Sequence, residues 1–282
     1  MPAELSRMMA TPFMRTAFPI LFNLAVCFTT FGAASSAPNI ESGWVALSRM
    51  DSIQAKSDFS AVTATRESRL GHALTLLGDA DKTAANLENC RRELIELRDE
   101  DPNDDYGIAA TYYLARIAQH YDKEPNVAAI ISTYRDLLAN HPGHPVAELA
   151  APKLAMLLLY ADVSSNEQDA RFDEIESLLP SLTHPHNQRD TRLVLADALL
   201  RLRRNHARAY PLINHCLEQN LILRSTRLNQ YLLQAAEAAR KLGLRSEAIR
   251  HCERYIETFP HDDKTDEVGR RLQRLKGEDD HA

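Results

Sequence analysis

Glycine and tryptophan are scarce in this chain of 282 residues, which holds 9 glycines and one tryptophan. A β-sandwich or barrel needs glycine in many tight turns, and phosphate-binding loops need it for close approach of the backbone. The composition therefore disfavours both architectures and favours long helices. With 44% apolar and 26% charged residues, the chain is predicted to fold around a core, and it is neither a disordered chain nor a multi-spanning membrane protein.

The common signatures of catalytic sites are also missing from the sequence. It contains no HExxH, GxSxG, GxxxxGK[ST] or GxGxxG motif, so metalloprotease, serine hydrolase and nucleotide-binding chemistry have no support. One enzyme alternative stays open, in which Glu67 serves as the acid of a helical enzyme that acts on cell-wall glycan. The Glu-Ser dipeptide at this position also occurs at Glu41 and Glu176. We therefore predict no catalytic residue and a non-enzymatic protein.

Cysteine is too rare, and odd in number, for a disulfide framework. Once a predicted signal segment is removed, Cys90, Cys216 and Cys252 remain, and three cysteines cannot all pair within one chain. Their distances from the predicted helix ends place them on one apolar helical face, where cysteine acts as a small core residue. The dipeptide His-Cys occurs twice, at His215 and at His251, and these side chains allow a zinc site as an alternative. A structural zinc site, however, needs four converging ligands. We predict no metal and no cofactor.

Two further patterns could bind cations. His141 and His144, and also His184 and His186, flank prolines in predicted turns between helices, and imidazoles bind divalent transition metals. The acidic run 99–105 could bind calcium, although it lacks the glycine and the final bidentate glutamate of a calcium loop. For both patterns we adopt the interpretation that these residues lie in turns and are solvated.

Residues 1–37 have the layout of a secretory signal peptide. A start with two arginines and one glutamate precedes the apolar stretch 17–31, and small residues fill 32–37. The apolar stretch is shorter than the ~20 residues that cross a bilayer, so we predict no stable membrane insertion after its removal. An exported protein is expected. A retained anchor, or lipidation at Cys27, is the alternative.

Prolines past apolar helical runs reveal a repeat. Pro102, Pro142, Pro180 and Pro260 are separated by 40, 38 and 80 residues, and Asn220 stands where a further stop is expected. A residue that cannot continue a helix is typical just past its end. We predict a weakly helical segment at 38–58, a domain of helix pairs at 59–276 and a polar tail at 277–282. The first helices of the pairs and a final helix are predicted at 62–77, 107–121, 146–161, 188–203, 226–242 and 264–275.

These repeats resemble the tetratricopeptide repeat family. The clearest unit fills the spaced large, small, glycine, alanine, aromatic, alanine and proline positions of that family with Leu232, Ala236, Gly243, Ala248, Cys252, Tyr255 and Pro260. Of these, Cys252 and Tyr255 depart from the usual residue types. Several segments are similar to the variant found in periplasmic adaptor proteins of the bacterial envelope, which implies a location in the periplasm or cell envelope. The resemblance implies an all-α, right-handed α-solenoid of about five helix pairs with a C-terminal capping helix. It also implies a non-enzymatic scaffold that binds a peptide or partner helix in a concave groove lined by first helices.

Charge divides the sequence into an acidic and a basic part. Residues 38–165 carry a net charge of −7, whereas residues 186–254 carry +7. The overall charge of −6 argues against nucleic-acid binding. We therefore expect an acidic protein or peptide partner on the basic first helices, with an anionic envelope polymer or membrane surface as the alternative. The residues predicted to bind the partner are Arg189, Arg192, Arg203, Gln230, Glu237, Arg240 and Lys241.

Overall fold

The computed structural model describes residues 38–78, 83–160, 167–203 and 205–277. All the regular secondary structure in these ranges is helical, which confirms the prediction of an all-α chain. The predicted signal segment and all but the first residue of the predicted tail lie outside the described residues. The chain divides into two compact units, of which the first ends at Thr133 and adds 145–147, while the second comprises 134–144 and everything from Glu148 onward.

The first unit contains five helices and the start of a sixth within its described residues. They are α1 Pro38–Ser48, α2 Ser52–Ser60, α3 Arg66–Gly78, α4 Ala84–Glu100, α5 Asp105–Tyr121 and α6 Val127–Asn140. Consecutive helices from α1 to α5 pack against each other, and α3 also contacts α5. The N-terminal segment, which the sequence predicts as one weak helix, is thus a pair of helices.

The second unit takes over at the middle of α6, and its described residues include seven further α-helices from α8 onward. After the short α7 Pro145–Glu148 come α8 Ala150–Tyr160, α9 Gln168–Leu178, α10 Pro185–Ala198, α11 His206–Glu218, α12 Ser225–Lys241, α13 Arg245–Thr258 and α14 Thr265–Gly277. A 3₁₀ turn at Leu179–Ser181 extends α9, and a π-helical turn at Leu199–Arg203 extends α10. Each of the helices from α8 to α14 packs against the next one.

The predicted helix stops are confirmed with a constant offset. Every α-helix that precedes a predicted stop ends two residues before it, at Glu100, Asn140, Leu178, Glu218 and Thr258. Left-handed residues also follow helix ends, namely Met50 (φ 62°), Gly143 (φ 76°), Gly243 (φ 71°) and Asn220 (φ 49°), which lies at the stop without a proline. Glycine and asparagine adopt this conformation at little cost, so the repeat period comes from residues that end helices.

A side chain caps the start of several helices. Asp51, Thr83, Asp104 and Asn205 each accept a hydrogen bond from the backbone N–H three residues later, at distances between 2.7 and 3.1 Å. Such caps satisfy N–H groups that have no partner inside the helix and stabilise it by about 1 kcal/mol. The helix starts are therefore encoded locally, as the ends are.

One predicted helix is broken by a proline. The sequence predicts a single helix at 146–161, but the structure has α7 and α8 with Leu149 between them. The cause is Pro152, which has no N–H to donate to the carbonyl of Glu148 and whose ring would clash with that carbonyl. Pro211 has a different outcome, because α11 begins at His206 and contains it.

Glu148 uses its position at this break to hold the start of α10. Its side chain is only 2% exposed, and its carboxylate accepts hydrogen bonds from the N–H and hydroxyl of Thr183, both at 2.7 Å, and from the N–H of His184 at 2.9 Å. Since His184 directly precedes α10, one buried carboxylate fixes the start of that helix.

Arginines connect helices through two kinds of contact, hydrogen bonds to backbone carbonyls and ion pairs. Near the starts of α3, α10 and α13, Arg66, Arg189 and Arg245 donate to the carbonyls of Leu97, Leu221 and Leu275, at or beyond the end of the following helix. Ion pairs also link helices of the second unit that the sequence predicts as second helices of their pairs, namely Arg135–Glu174, Arg208–Asp173 and Arg250–Glu218. The carbonyls at helix ends have no partner inside the helix, so the first set of contacts satisfies them.

No helix among the described residues is long and apolar enough to cross a membrane.

Candidate functional site

Arg189 and Arg192, the first two predicted binding residues, are half-buried on α10. Arg189 donates through Nε to Asp190 at 2.8 Å and through Nη1 to the carbonyl of Leu221, in the turn between α11 and α12, at 3.2 Å. Arg192 donates to Gln188 at 3.2 Å. The pKa of His215 on α11 is lowered mainly by burial, and the charge of Arg192 adds to this effect. Both arginines thus lie toward α11 and its following turn, where they already have partners within the chain.

The predicted residues of α12 lie at its solvent-exposed side. Gln230, Arg240 and Lys241 are exposed, whereas Glu237 is half-buried. Arg240 makes two hydrogen bonds to Glu237, at 2.7 and 3.0 Å, and these bonds lower the pKa of that carboxyl. Arg271 of α14 reaches the same carboxylate at 3.4 Å. Glu237 and Arg240 therefore neutralise each other, which leaves Lys241 as the cation of this set without an ion pair among the described residues. The side chain of Arg203 lies outside the described residues.

A cluster around Asp197 joins α10 to α12 and was not predicted from the sequence. Tyr231 donates its hydroxyl to Asp197 Oδ2 at 2.9 Å, and Gln234 also hydrogen-bonds this carboxyl. Burial raises the pKa of Asp197, although the two hydrogen bonds and the charges of Arg227 and Arg201 act in the opposite direction. Asp197, Arg201, Arg227, Tyr231 and Gln234 are called the Asp197 cluster below.

Three helices that the sequence predicts as successive first helices contribute to the surroundings of this cluster. Burial raises the pKa of the hydroxyl of Tyr160, at the end of α8, to about 12, and the negative charge of Asp197 adds to this increase. Tyr160, Asp197 and Gln234 are spaced 37 residues apart, close to the repeat length, and this regular spacing is the signal that could have identified them. The π-helical turn Leu199–Arg203 begins directly after Ala198, and such turns are frequent at functional sites.

The outer members of the cluster are positively charged. Arg201 and Arg227 are exposed, and the side chain of Arg227 makes no hydrogen bond within the described part of the chain. On the same stripe of α12, Gln230, Gln234 and Lys241 follow at intervals of three, four and seven residues, which share one helical face. We call the surface formed by the Asp197 cluster with Gln230 and Lys241 the α10–α12 face.

The three cysteines of the described residues are buried and free, as predicted. They lie in α4, α11 and α13, which the sequence predicts as second helices of their pairs. Burial raises the pKa of Cys90 and Cys216 to about 12 and also raises that of Cys252. Since the thiolate is the reactive form, these groups are protected both by their position and by their protonation.

We expect slow labelling of native protein by a thiol reagent, and rapid labelling of all three cysteines in denaturant. Native labelling should depend on opening of the structure, because each sulfur is shielded by core side chains. The measurement is mass spectrometry of protein alkylated at increasing times with and without urea. Modification of any of the three at the rate of a free peptide thiol would contradict the buried assignment.

The alternative cation ligands, which are the two histidine pairs and the acidic run, lie in turns or at helix ends. The turns of the two histidine pairs are adjacent, because a Cβ at Gly143 would lie 3.8 Å from Thr183 Cγ2. In the acidic run, Glu100 pairs with Arg66 and Arg69, and Asp104 pairs with Arg66 at 2.7 Å. No group of three or more histidine, cysteine, aspartate or glutamate side chains suited to a metal ion occurs in the described ranges.

Glu67, the candidate acid of the glycan enzyme, lies at the contact between α1 and α3. Its Oε1 accepts a hydrogen bond from the indole N–H of Trp44 at 2.9 Å, and Trp44 packs edge-on against Phe59 of α2 at 5.1 Å. The carboxylate therefore anchors the tryptophan that joins the first three helices, which gives Glu67 a structural role.

No protein-family model and no curated protein matches this chain.

Proposed function

We propose that this chain is a tetratricopeptide-type scaffold of the bacterial cell envelope, which binds an acidic segment of a partner protein on the α10–α12 face. In this proposal the helix pairs form a right-handed α-solenoid of about five repeats, with α14 as the capping helix. Packing of consecutive helices from α1 to α5 and from α8 to α14 supports the idea, because repeats of this kind contact only their neighbours.

The observation that carries the proposal is the distribution of partners on and beside the α10–α12 face. The acids there have donors inside the chain, as Asp197 has Tyr231 and Glu237 has Arg240. Arg227 and Lys241, in contrast, are exposed and make no ion pair among the described residues. A face attracts carboxylates when its acidic side chains already bind donors of the same chain and its basic side chains make no ion pair.

Arginine gives this face selectivity for carboxylates. A guanidinium group offers paired hydrogen bonds in one plane, which match the two oxygens of a glutamate or aspartate side chain. Each exposed pair contributes only ~0.2–1 kcal/mol, so affinity depends on several contacts that act together. An anionic polymer or membrane surface would use the same charges without needing the hydrogen-bond geometry.

We expect the triple variant Arg201→Glu, Arg227→Glu, Lys241→Glu to lose at least tenfold in affinity for an oligoglutamate peptide. Reversing three charges removes three attractions and adds repulsion, and a tenfold loss requires only about 1.4 kcal/mol. The matched control reverses three exposed cations of the first unit, Arg49, Lys56 and Lys123, and should bind the peptide like the wild type. Isothermal titration calorimetry measures both.

The source of the negative charge is distinguished by parallel titrations. The proposal predicts that the peptide binds with saturable 1:1 stoichiometry, whereas vesicles of anionic phospholipid and soluble glycan polymer bind weakly. Equal loss of affinity in the two triple variants would place binding elsewhere. Vesicle binding stronger than peptide binding, abolished by the first triple variant alone, would favour the membrane alternative. Arg189 is left unchanged because its bond to the Leu221 carbonyl also stabilises the fold.

A further inference from the structure

Asp197 is bound differently from the neighbouring acids on and beside the α10–α12 face. Asp190, seven residues earlier on α10, is paired with Arg189, and Glu237 is paired with Arg240. Asp197 receives its described hydrogen bonds from neutral donors, the hydroxyl of Tyr231 and the amide of Gln234. A carboxylate held by neutral groups can take up a proton without breaking an ion pair.

The groups around Asp197 come from three helices. Tyr160 of α8, Arg201 of the turn that extends α10, and Arg227, Tyr231 and Gln234 of α12 face it. The two arginines favour the charged carboxylate, while burial favours the neutral acid. The balance between them depends on how much water and how much negative charge lie above the cluster.

The amide of Gln234 has a hydrogen-bonding capacity that ionised Asp197 cannot use. Its Oε1 is buried and has no hydrogen-bond partner among the described residues. An ionised aspartate only accepts hydrogen bonds, so it bonds the NH₂ group of the amide, but a protonated aspartate carries one O–H donor. After rotation of the amide, that O–H can donate to Gln234 Oε1 and satisfy an acceptor that is unsatisfied while Asp197 is ionised.

We propose that Asp197 takes up a proton when an acidic segment docks on the α10–α12 face, and that Gln234 then accepts a hydrogen bond from it. This inference rests on the proposed function. A partner carboxylate that approaches Arg201 and Arg227 also excludes water from Asp197 and places a like charge beside it. Both effects favour the neutral acid, and the proton comes from solvent.

Affinity for an acidic partner should therefore increase as the pH falls. The complex holds more protons than the separate molecules, so lower pH favours the complex by linkage. Between pH 7.5 and 6 the carboxylates of a glutamate-rich partner stay ionised, and a change in affinity over this range reports the protein. The Asp197→Asn variant removes both the negative charge and the proton uptake.

The test is calorimetric titration of oligoglutamate in two buffers of different ionisation enthalpy. Wild type should give binding enthalpies that differ between the buffers, which measures net proton uptake, whereas Asp197→Asn should show no difference and bind more tightly at pH 7.5. Asp190→Asn is the matched control on the same helix and should keep the uptake. Tyr231→Phe, which removes a donor to the charged form, should shift the pH dependence toward higher pH.

Binding of the peptide to wild type without proton uptake would overturn the role of Asp197 and leave the proposed function intact. Uptake that persists in Asp197→Asn would assign the proton to another group and overturn it equally. A complete absence of peptide binding would overturn the proposed function, and this inference with it.

Discussion

Replacing Gly107 by alanine should destabilise the protein by about 3 kcal/mol, measured by urea unfolding. A Cβ at this buried position of α5 would lie 1.9 Å from the carbonyl oxygen of Asp101 and 2.9 Å from the Cα of Pro102. Both neighbours are backbone atoms, so no side-chain rotation relieves the clash. Arg66 holds the same turn by donating to the Asp101 carbonyl at 3.2 Å, which limits its movement.

Gly269→Ala is the control for this substitution. Gly269 lies in α14, and a Cβ there would meet nothing within 4 Å. Alanine has a higher helix propensity than glycine, so this variant should be more stable by about 0.5–1 kcal/mol. Stability changes of the same sign and size in the two variants would show that the close packing of the α4–α5 turn on α5 is wrong.

Acidification should destabilise the second unit through His251 of α13. This side chain is only 1% exposed, its Nε2 lies 3.3 Å from the Tyr210 hydroxyl, and its Nδ1 has no hydrogen-bond partner in the described part of the chain. Burial lowers its pKa from 6.5 to about 4, with Arg250 and Arg254 adding to the effect and Glu247 and Glu218 opposing it. The folded protein therefore holds a neutral imidazole.

The sign of the pH dependence follows from the direction of this shift. Below pH 6.5 the unfolded chain binds a proton that the folded chain does not, so the contribution is fully present above pH 6.5 and is lost as the pH falls toward 4. Between pH 7.5 and 5 the loss is about 2 kcal/mol. Urea unfolding at the two pH values measures it.

His251→Gln should remove this loss, because glutamine does not titrate. His186→Gln, which changes an exposed histidine of α10, is the matched control and should retain the wild-type pH dependence. Carboxylates contribute equally to all three proteins, so the difference between variants isolates the imidazole. Identical pH dependence in wild type and His251→Gln would refute the buried neutral state.

Sequence periodicity and helix-ending residues were sufficient to predict most of the helices. The constant offset between Pro102, Pro142, Pro180, Asn220 and Pro260 and the observed helix ends arises because these residues act locally. The break at Leu149 is also a local effect, of Pro152, and could have been anticipated from the missing N–H. The division of the helices into two compact units depends on contacts between residues that are distant in the sequence. The spacing of hydrophobic residues alone does not specify these contacts.

The sequence did not predict which residues of α10 are buried and which are exposed to solvent. A helix with one apolar face leaves its arginines on the opposite side, but α10 packs against α8, α9 and α11 and is buried around much of its circumference. Leu193 and Thr191 are both buried although they point in different directions. Arg189 and Arg192 therefore fall on a flank, and the remaining exposed stripe includes Arg201.

The most direct test of the proposed acidic-partner face is hydrogen exchange of the protein with and without saturating oligoglutamate peptide. The proposal predicts slower exchange in α10 and α12, centred on the turns that carry Asp197 and Tyr231, and no change in α4 or α5. It also predicts that, at a peptide concentration near the wild-type Kd, the Arg201, Arg227 and Lys241 triple reversal strongly reduces this protection. Protection confined to the first unit, or unchanged in the triple variant, would contradict the assignment of partner binding to the α10–α12 face.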